Sequence, residues 1–484
     1  MASGRAWTFG ELDTEVSRTA RRLAALGVRA GDRVATVLHN GAGPALLVHA
    51  LLRLGATLVP LNTRLGQMEL AWQIGDAAPR LLIAEHATHA AAALAREQYP
   101  ELPVVNVDAR GALDAMAEAT VELRLEHAAS DVLAIIYTSG TTGRPKGAML
   151  TVGNFWWSAI GSALNLGTQA DDRWLACLPL FHVGGLSILL RSAIYGITAV
   201  VHDGFDAAAV NRAIDEERVT TVSVVAVMLQ RMLDAREGRA YPATLRCVLL
   251  GGGPAPQPLL ERCAALGVPV VQTYGLTETT SQLATLAPED ALRKLGSAGR
   301  ALYPNEVRIA APSSSDEGDP DASGSDVAGE ILVRGPVVMA GYFGQPAESA
   351  RAIVDGWLCT GDIGRLDDEG FLYVLDRRDD LIITGGENVY PAEVEAALLA
   401  HPLVAEAGVI GVPDAQWGQR VVACVRLAGT NAPPSIEALL RTHCRARLAA
   451  YKTPAEFRIA NEPLPRTASG KLRRSALRDI HVPR

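Results

Sequence analysis

The sequence predicts an α/β protein in which parallel, doubly wound layers come first, a β-rich stretch follows, and a small α+β unit comes last. Three observations carry that prediction. Short apolar strand-like runs alternate with helix-period runs up to about Gly296. Beyond Gly296 short strands follow one another with turns between them. The C-terminal stretch then sets one short helix among strand-like runs.

The elements can be justified in order. Leu12, Val16, Ala20 and Leu23 recur at helical spacing, and Gly27 ends that run. Gly31-Asp32 turns the chain into "RVATVL". "RLLIA", "PVVNV" and "DVLAIIY" read as further strands, as do "TAVV", "TVSVV", "LRCVLL" and "VPVVQTYG". Trp156, Trp157 and Ile160 read as the packing stripe of a helix. "EVRIA", "GEILVRG" and "FLYVLD" make the β-rich part. Between two of them "APSSSDEGDPDASGSDVAGE" reads as a surface loop, because strands continue on both sides. "PAEVEAALLAHP" is a short helix with Pro391 near its start, and "AEAGVIGVPD" and "QRVVACVRLA" are strand-like. The boundary candidate is the charged, glycine-containing "DRRDDLIITGGENVYP". No internal repeat is visible.

Composition narrows the function classes. The 484 residues suffice for two domains and a large core, and 49% apolar residues suit a soluble enzyme. Net charge is -8 with the two signs interspersed, which speaks against a nucleic-acid partner. "MASGRAWTFGELDTEV" lacks the apolar core of a signal peptide, and no apolar run reaches spanning length. The expectation is a cytoplasmic protein without membrane insertion. Cys177, Cys247, Cys263, Cys359, Cys424 and Cys444 are scattered, with neither zinc-site nor disulfide spacing.

The chemistry concentrates in "IIYTSGTTGRPKGAML" at 135–150. Three glycines, four hydroxyl residues and a lysine follow an apolar strand, a composition that can wrap phosphate in N–H groups, hydroxyls and positive potential. Lys146 stands between Pro145 and Gly147, so no Walker loop is present. An ordinary Gly/Thr turn is the alternative for this loop alone. Other stretches weigh against it. "LGGGP" at 250–254 puts glycines at a strand end, where a flat ring can lie on backbone. "YGLTE" at 274–278 offers an aromatic face, a hydroxyl and a carboxylate fit for Mg²⁺. "TGD" offers Asp362 for sugar hydroxyls, "DRRDD" adds Arg377, and "RTASGK" places Lys471 in a polar loop.

In order and spacing these motifs resemble the adenylate-forming superfamily of acyl- and aryl-CoA ligases, luciferases and peptide-synthetase adenylation domains, over essentially the whole chain. The resemblance implies a large N-terminal domain of two α/β layers plus a β-barrel over 1–378. A small α+β C-terminal domain over 379–484 would turn on a hinge at Asp379. It further implies that Thr138, Ser139, Gly140, Thr141, Thr142, Gly143 and Lys146 hold the β- and γ-phosphates of ATP. Gly251, Gly252, Gly253 and Tyr274 would frame adenine, while Thr277 and Glu278 serve phosphate and Mg²⁺. Asp362 and Arg377 would hold ribose, Lys471 would reach the reacting carboxylate and α-phosphate, and Gly385 and Gly386 would pass close to the pantetheine of coenzyme A.

Two stretches address the acid. "VVAV" at 224–227 lacks the carboxylate that amino-acid-activating relatives use for an ammonium group. "LNTRL" at 61–65, "WWSAIGSALNLG" at 156–167 and "LPLFHVGGLSILLRSAIYG" at 178–196 resemble the o-succinylbenzoate–CoA ligases of menaquinone synthesis. Such a substrate carries a second carboxylate, for which Arg191 is the candidate cation and a helix-surface ion pair its alternative. His182, at what reads as a strand end, is a candidate wall of the acyl pocket and counts with Lys471, Glu278 and Thr277 among the catalytic candidates. Its alternative is a satisfied core histidine. Ser187 lies in the same stretch and is counted as substrate-binding. The partner expected is a small carboxylic acid, with a homodimer left open. Other aryl- or medium-chain acyl-CoA ligases, a carrier-protein-loading enzyme, a luciferase or a nucleotide-sensing protein would share the nucleotide motifs. The last of these could dispense with Lys471 and Glu278.

Overall fold

The computed structural model describes residues 1, 4–107, 116–138, 144–252, 257–294, 296–310, 329–377, 382–389, 391–429, 433, 435–465 and 474–481. The chain forms two compact units, one of residues 1–63, 74–136 and 147–375, the other of 64–73, 137–146 and 376–484. The serine-rich stretch 311–328, read above as a surface loop, lies outside the described residues.

In the first unit the helix Phe9–Ala25 starts where Thr8 caps it. The Thr8 hydroxyl accepts from Glu11 N and the Glu11 carboxylate accepts from Thr8 N, a reciprocal cap that stabilises the helix by about 1 kcal/mol. It buries Val16, Ala20 and Leu23 on one face, and the chain leaves it through Gly27 at φ +87°. Among the described residues a six-stranded sheet runs in the order Val104–Asn106, Leu81–Ala84, Arg33–Val37, Thr57–Pro60, Val132–Thr138 and Lys146–Thr151. Its first five strands pair in parallel. A seven-stranded sheet follows in the order Arg300–Ala301, Ala284–Leu286, Val270–Tyr274, Cys247–Leu250, Thr221–Val224, Arg173–Ala176 and Thr198–Val201. It is parallel except at the Ala284–Leu286 and Arg300–Ala301 edge. Parallel strands buried on both faces explain their Val/Leu/Ile runs. The β-rich part is a five-stranded antiparallel sheet built on Glu306–Ala310, Gly329–Arg334 and Trp357–Leu366. The fold class is therefore α/β with a separate antiparallel sheet. Among the described residues no helix is long and apolar enough to cross a membrane.

The helix Val152–Leu166 corrects one expectation. Trp156 is 48% exposed and Ile160 only half-buried, while Trp157 is partly buried and packs against the core. The buried face is instead Asn154, Phe155, Ser158, Ala159 and Ser162. Asn154 and Ser158 occupy it because they have partners there. The Asn154 side-chain amide donates to the carbonyls of Pro336 and Val338 at 2.8 Å each. Close approach fixes the face too, since a Cβ on Gly161 would meet the Tyr303 carbonyl oxygen at 2.7 Å.

In the second unit the strands Glu387–Val389, Ile382–Thr384, Gly418–Leu427 and Val404–Asp414 form an antiparallel sheet, to which Glu456–Ala460 adds in parallel. Val394 and Leu398 of the helix Pro391–Leu399 pack on Val409, Val421 and Val425 of that sheet. The segment 64–73 belongs to this unit through charge. The buried Lys452 ammonium lies 2.7 Å from Glu69 and 2.8 Å from Glu393, and Arg64 pairs with Glu387.

Candidate active site

The strand Cys247–Leu250 runs beside Val270–Tyr274 and delivers Gly251 and Gly252 at its C-terminal end. A Cβ on Gly251 would stand 3.0 Å from Thr273 Cγ2, and one on Gly252 would stand 3.1 Å from Val225 Cγ1. Gly252 also has φ +80°. Glycine thus keeps bare backbone at the end of a parallel strand, the place where open α/β sheets receive flat ligands. Tyr274 ends the neighbouring strand, 8% exposed, and its hydroxyl donates to Asp362 Oδ2 at 2.6 Å. Asp362, itself 6% exposed, comes from the antiparallel sheet. Its backbone is set by two bonds, one local and one across the sheet: Asp362 N donates to Thr360 Oγ1 at 3.1 Å, and Gly361 N donates to Glu330 Oε1 at 2.8 Å. The predicted adenine and ribose residues Tyr274 and Asp362 are therefore brought together by elements far apart in sequence.

Thr277 and Glu278 sit on the single 3₁₀ turn Thr277–Thr279 just beyond Tyr274. The Glu278 carboxylate accepts from Tyr342 Oη at 3.0 Å, and its carbonyl accepts from Met339 N at 2.9 Å. Among the described residues no group of three or more His, Cys, Asp or Glu is placed to hold a metal ion. A carboxylate beside a hydroxyl, with few protein ligands, fits Mg²⁺, which keeps waters and takes the rest of its shell from substrate phosphates.

On the acyl side His182 is not at a strand end. It is the N-cap of the helix Val183–Tyr195, exposed, with its ring 4.7 Å from that of Phe181. The turn before it is tight, because a Cβ on Gly185 would meet the Pro179 carbonyl oxygen at 2.3 Å. Ser187 is buried, and its hydroxyl donates to the Val183 carbonyl of its own helix at 2.6 Å. Arg191 is not on the helix surface either. Only 2% exposed, it lies over the Trp174 ring at 5.3 Å, and its Nη2 donates to Ser158 Oγ at 3.1 Å. Burial pulls its pKa below the ordinary arginine value, Tyr195 opposing that shift. No described carboxylate pairs with it, so the surface ion pair falls.

In the second unit Thr138 Oγ1 donates to the Lys146 carbonyl at 3.4 Å, tying together the two ends of the hydroxyl-rich loop. Gly385 and Gly386 form the two-residue turn between Ile382–Thr384 and Glu387–Val389, both with positive φ, +58° and +84°. Such a hairpin turn demands glycine-like conformations by itself. Arg377 ends the strand Leu372–Arg377. Ser139, Gly140, Thr141, Thr142, Gly143, Gly253, Asp379 and Lys471 lie outside the described residues. Sequence reasoning missed Tyr342, Thr360 and Glu330. Only Thr360, a hydroxyl two residues ahead of Asp362, left a local signal.

Bare backbone beside a buried aromatic–carboxylate pair, with a second carboxylate one turn away, suits an α/β enzyme that binds a nucleotide. The chain belongs to the AMP-binding enzyme family: the family's main model matches residues 1–343 and the model of its C-terminal domain matches 393–471. It is 51% identical over 476 residues to the 2-succinylbenzoate–CoA ligase of Geobacillus kaustophilus (strain HTA426), covering 98% of this chain and 93% of that one. Among solved structures it is similar to a double mutant of the o-succinylbenzoate CoA synthetase of Bacillus subtilis bound with the product analogue OSB-NCoA. The TM-score is 0.90 at 43% identity, covering 99% of this chain and 94% of that one. The same enzyme in complex with ATP and a magnesium ion gives a TM-score of 0.72 at 43% identity, covering 99% and 95%.

Proposed function

We infer that this chain is an AMP-forming acid–CoA ligase that converts 2-succinylbenzoate, ATP and coenzyme A into 2-succinylbenzoyl-CoA, AMP and diphosphate, a step of menaquinone synthesis. The observation that carries the substrate is the full-length likeness to 2-succinylbenzoate–CoA ligases at 51% identity. The buried Tyr274–Asp362 pair and the Gly251–Gly252 shelf support the nucleotide half of that reading.

The residues take their roles from the chemistry. A carboxylate is a weak nucleophile and must approach an anionic α-phosphate, so charge has to be neutralised rather than a proton removed. Glu278 would hold Mg²⁺, which supplies part of that neutralisation when bound. Lys471 would supply the rest at the α-phosphate. Thr138 to Gly143 and Lys146 hold the β- and γ-phosphates in this reading. Gly251 to Gly253 and Tyr274 receive adenine, Asp362 and Arg377 take the ribose hydroxyls, and Thr277 takes a phosphate oxygen. The acyl-adenylate so formed is a mixed anhydride, and the thiol of coenzyme A displaces AMP from its carbonyl. Gly385 and Gly386 line the approach of pantetheine, and His182 walls the acyl pocket. The proposal divides the chain at 1–378 and 379–484, with Asp379 as the pivot between the two half-reactions. It places the reaction in the cytoplasm, with no nucleic-acid partner and with a homodimer open to test.

The test is diphosphate release with ATP and a panel of acids, with and without coenzyme A. A preference for 2-succinylbenzoate over benzoate and medium-chain fatty acids is expected. Equal turnover of simple aryl acids would return the chain to the general acyl-CoA ligases.

A further inference from the structure

Residues 177–182 join the strand Arg173–Ala176 to the helix Val183–Tyr195 and end in His182. Leu180 and Phe181 are buried, at 5% and 7% exposure, while His182 is exposed. Such a joint has no ladder to pair with, yet its buried N–H and C=O groups need partners. One side chain supplies two of them. Asn40 Nδ2 donates to the Leu178 carbonyl and Leu180 N donates to Asn40 Oδ1, each at 2.8 Å. A side-chain amide carries a donor and an acceptor side by side, which is what this pair of backbone groups requires.

Asn40 is itself held in place. It follows the strand Arg33–Val37 of the six-stranded sheet, 138 residues from Leu178. Its neighbour His39 is tied to the Glu85 carboxylate through both its backbone N, at 3.1 Å, and its ring Nδ1. Glu85 N donates to Thr88 Oγ1 at 3.1 Å, and Thr88 Oγ1 donates to the Val37 carbonyl at 2.8 Å. From the other side the helix presses on the joint. A Cβ on Gly185 would stand 2.9 Å from the Leu178 carbonyl oxygen and closer still to that of Pro179. Within the joint His182 N donates to the Pro179 carbonyl at 3.1 Å, and the His182 carbonyl accepts from Gly185 N and Leu186 N. The Leu178–Leu180 turn therefore cannot shift without carrying His182 and the first turn of the helix with it.

We propose that Asn40 is a positioning residue of the acyl pocket. By gripping the Leu178–Leu180 turn it sets where His182 stands, and so how the acid is received. It acts through His182. The inference rests on the reading of His182 as a wall of the acyl pocket.

The test uses the full chain, with steady-state kinetics on 2-succinylbenzoate and calorimetry for MgATP. Asn40→Ala should raise KM for 2-succinylbenzoate about tenfold, the order expected for two lost hydrogen bonds, and leave MgATP affinity within about twofold. Asn40→Asp keeps the shape but sets a carboxylate oxygen against the Leu178 carbonyl, so it should raise that KM at least as much. It also carries the test if Asn40→Ala does not fold. Asn211 is the structural comparison, because its amide is likewise bonded at both ends, to the Met232 carbonyl and the Tyr241 hydroxyl. Asn211→Ala should lower thermal stability without raising KM for the acid. His182→Ala is the control. Should it leave KM for 2-succinylbenzoate unchanged, the reading of His182 fails and this inference with it. If His182→Ala raises that KM and Asn40→Ala adds nothing further in the double variant, action through His182 is upheld. Full additivity of the two would refute it. So would an Asn40→Asp enzyme with the KM of the parent, or equal losses of acid and MgATP binding in Asn40→Ala.

Discussion

Glu393 offers a quantitative test of how the second unit is held together. It lies in the first turn of the helix Pro391–Leu399, 8% exposed, with one carboxylate oxygen 2.8 Å from Lys452 Nζ and the other without a hydrogen-bond partner among the described residues. Burial pushes its carboxyl up from 4.5 to about 7, Lys452 opposing the shift and Glu69 adding to it. Although burial opposes it, Glu393 and Glu69 hold Lys452 charged above the ordinary amine range. Arg64, Glu387 and Tyr451 complete the surroundings. Between pH 4.5 and about 7 the folded carboxyl therefore keeps a proton that the unfolded one releases. The folded state binds more protons in that window, so stability falls as pH rises through it. Ionising Glu393 in the folded state costs at most about 3 kcal/mol, reached near pH 8. Glu393→Gln imitates the protonated carboxyl and should flatten the curve. Urea unfolding from pH 5 to pH 8 should show the stability gap moving toward the variant by about 2–3 kcal/mol. Glu69→Gln should also flatten it, by leaving Glu393 as the remaining counter-charge of Lys452 and lowering its pKa. Parallel curves for parent and Glu393→Gln would refute the reasoning.

Other expectations concern single side chains. Tyr274→Phe keeps the ring but removes the donor to Asp362. Loss of that charge-assisted bond, about 1.5–3 kcal/mol, should raise KM for ATP about tenfold or more, and an unchanged KM would detach the pair from the nucleotide. Lys471→Ala should slow adenylate formation about a hundredfold while largely sparing thioester formation from supplied acyl-adenylate, because phosphate charge develops only in the first step. Equal damage to both would count against its role. Gly385→Ala meets φ +58° and the Trp417 ring at 2.8 Å, so urea unfolding should show a loss of about 1–2 kcal/mol, and a neutral result would mean the turn is not fixed as described.

The fold was legible wherever burial follows a simple period. The strands Arg33–Val37, Leu81–Ala84, Thr221–Val224 and Cys247–Leu250 are largely buried on both faces and stand out as short runs. Trp357–Leu366 did not stand out, because its middle, Cys-Thr-Gly-Asp-Ile-Gly, is chosen for turns and bonds at Asp362 rather than for a strand surface. The helix Val152–Leu166 misled for a related reason. Apolarity pointed to Trp156, but the buried face belongs to Asn154 and Ser158, whose burial is compensated by carbonyls more than a hundred residues away in sequence. A polar residue on a core face is readable only when its partner is known.

The site divides along the same line. Motif residues whose partners are local or backbone, such as Gly251, Gly252, Gly361 and Asp362, could be placed from short stretches of sequence. Gly252 and Gly361 answer to left-handed backbone angles and Asp362 N to Thr360 Oγ1 two residues away, whereas Gly361 N reaches Glu330 and Asp362 Oδ2 reaches Tyr274. Arg191 could be singled out as an unusual charge but not understood, since everything that explains it is distant. Trp174 lies on one sheet strand, Ser158 on another helix, and Thr280 in a turn of a third element. The physical distinction is between groups constrained by near neighbours and groups whose partners come from distant elements. Tyr274 and Asp362 are bonded to each other beside the bare-backbone strand end, whereas Arg191 is bonded to Ser158, which in turn donates to the Thr280 carbonyl. If Tyr274 and Asp362 answer to the nucleotide, substitutions at that pair should change which nucleotide binds.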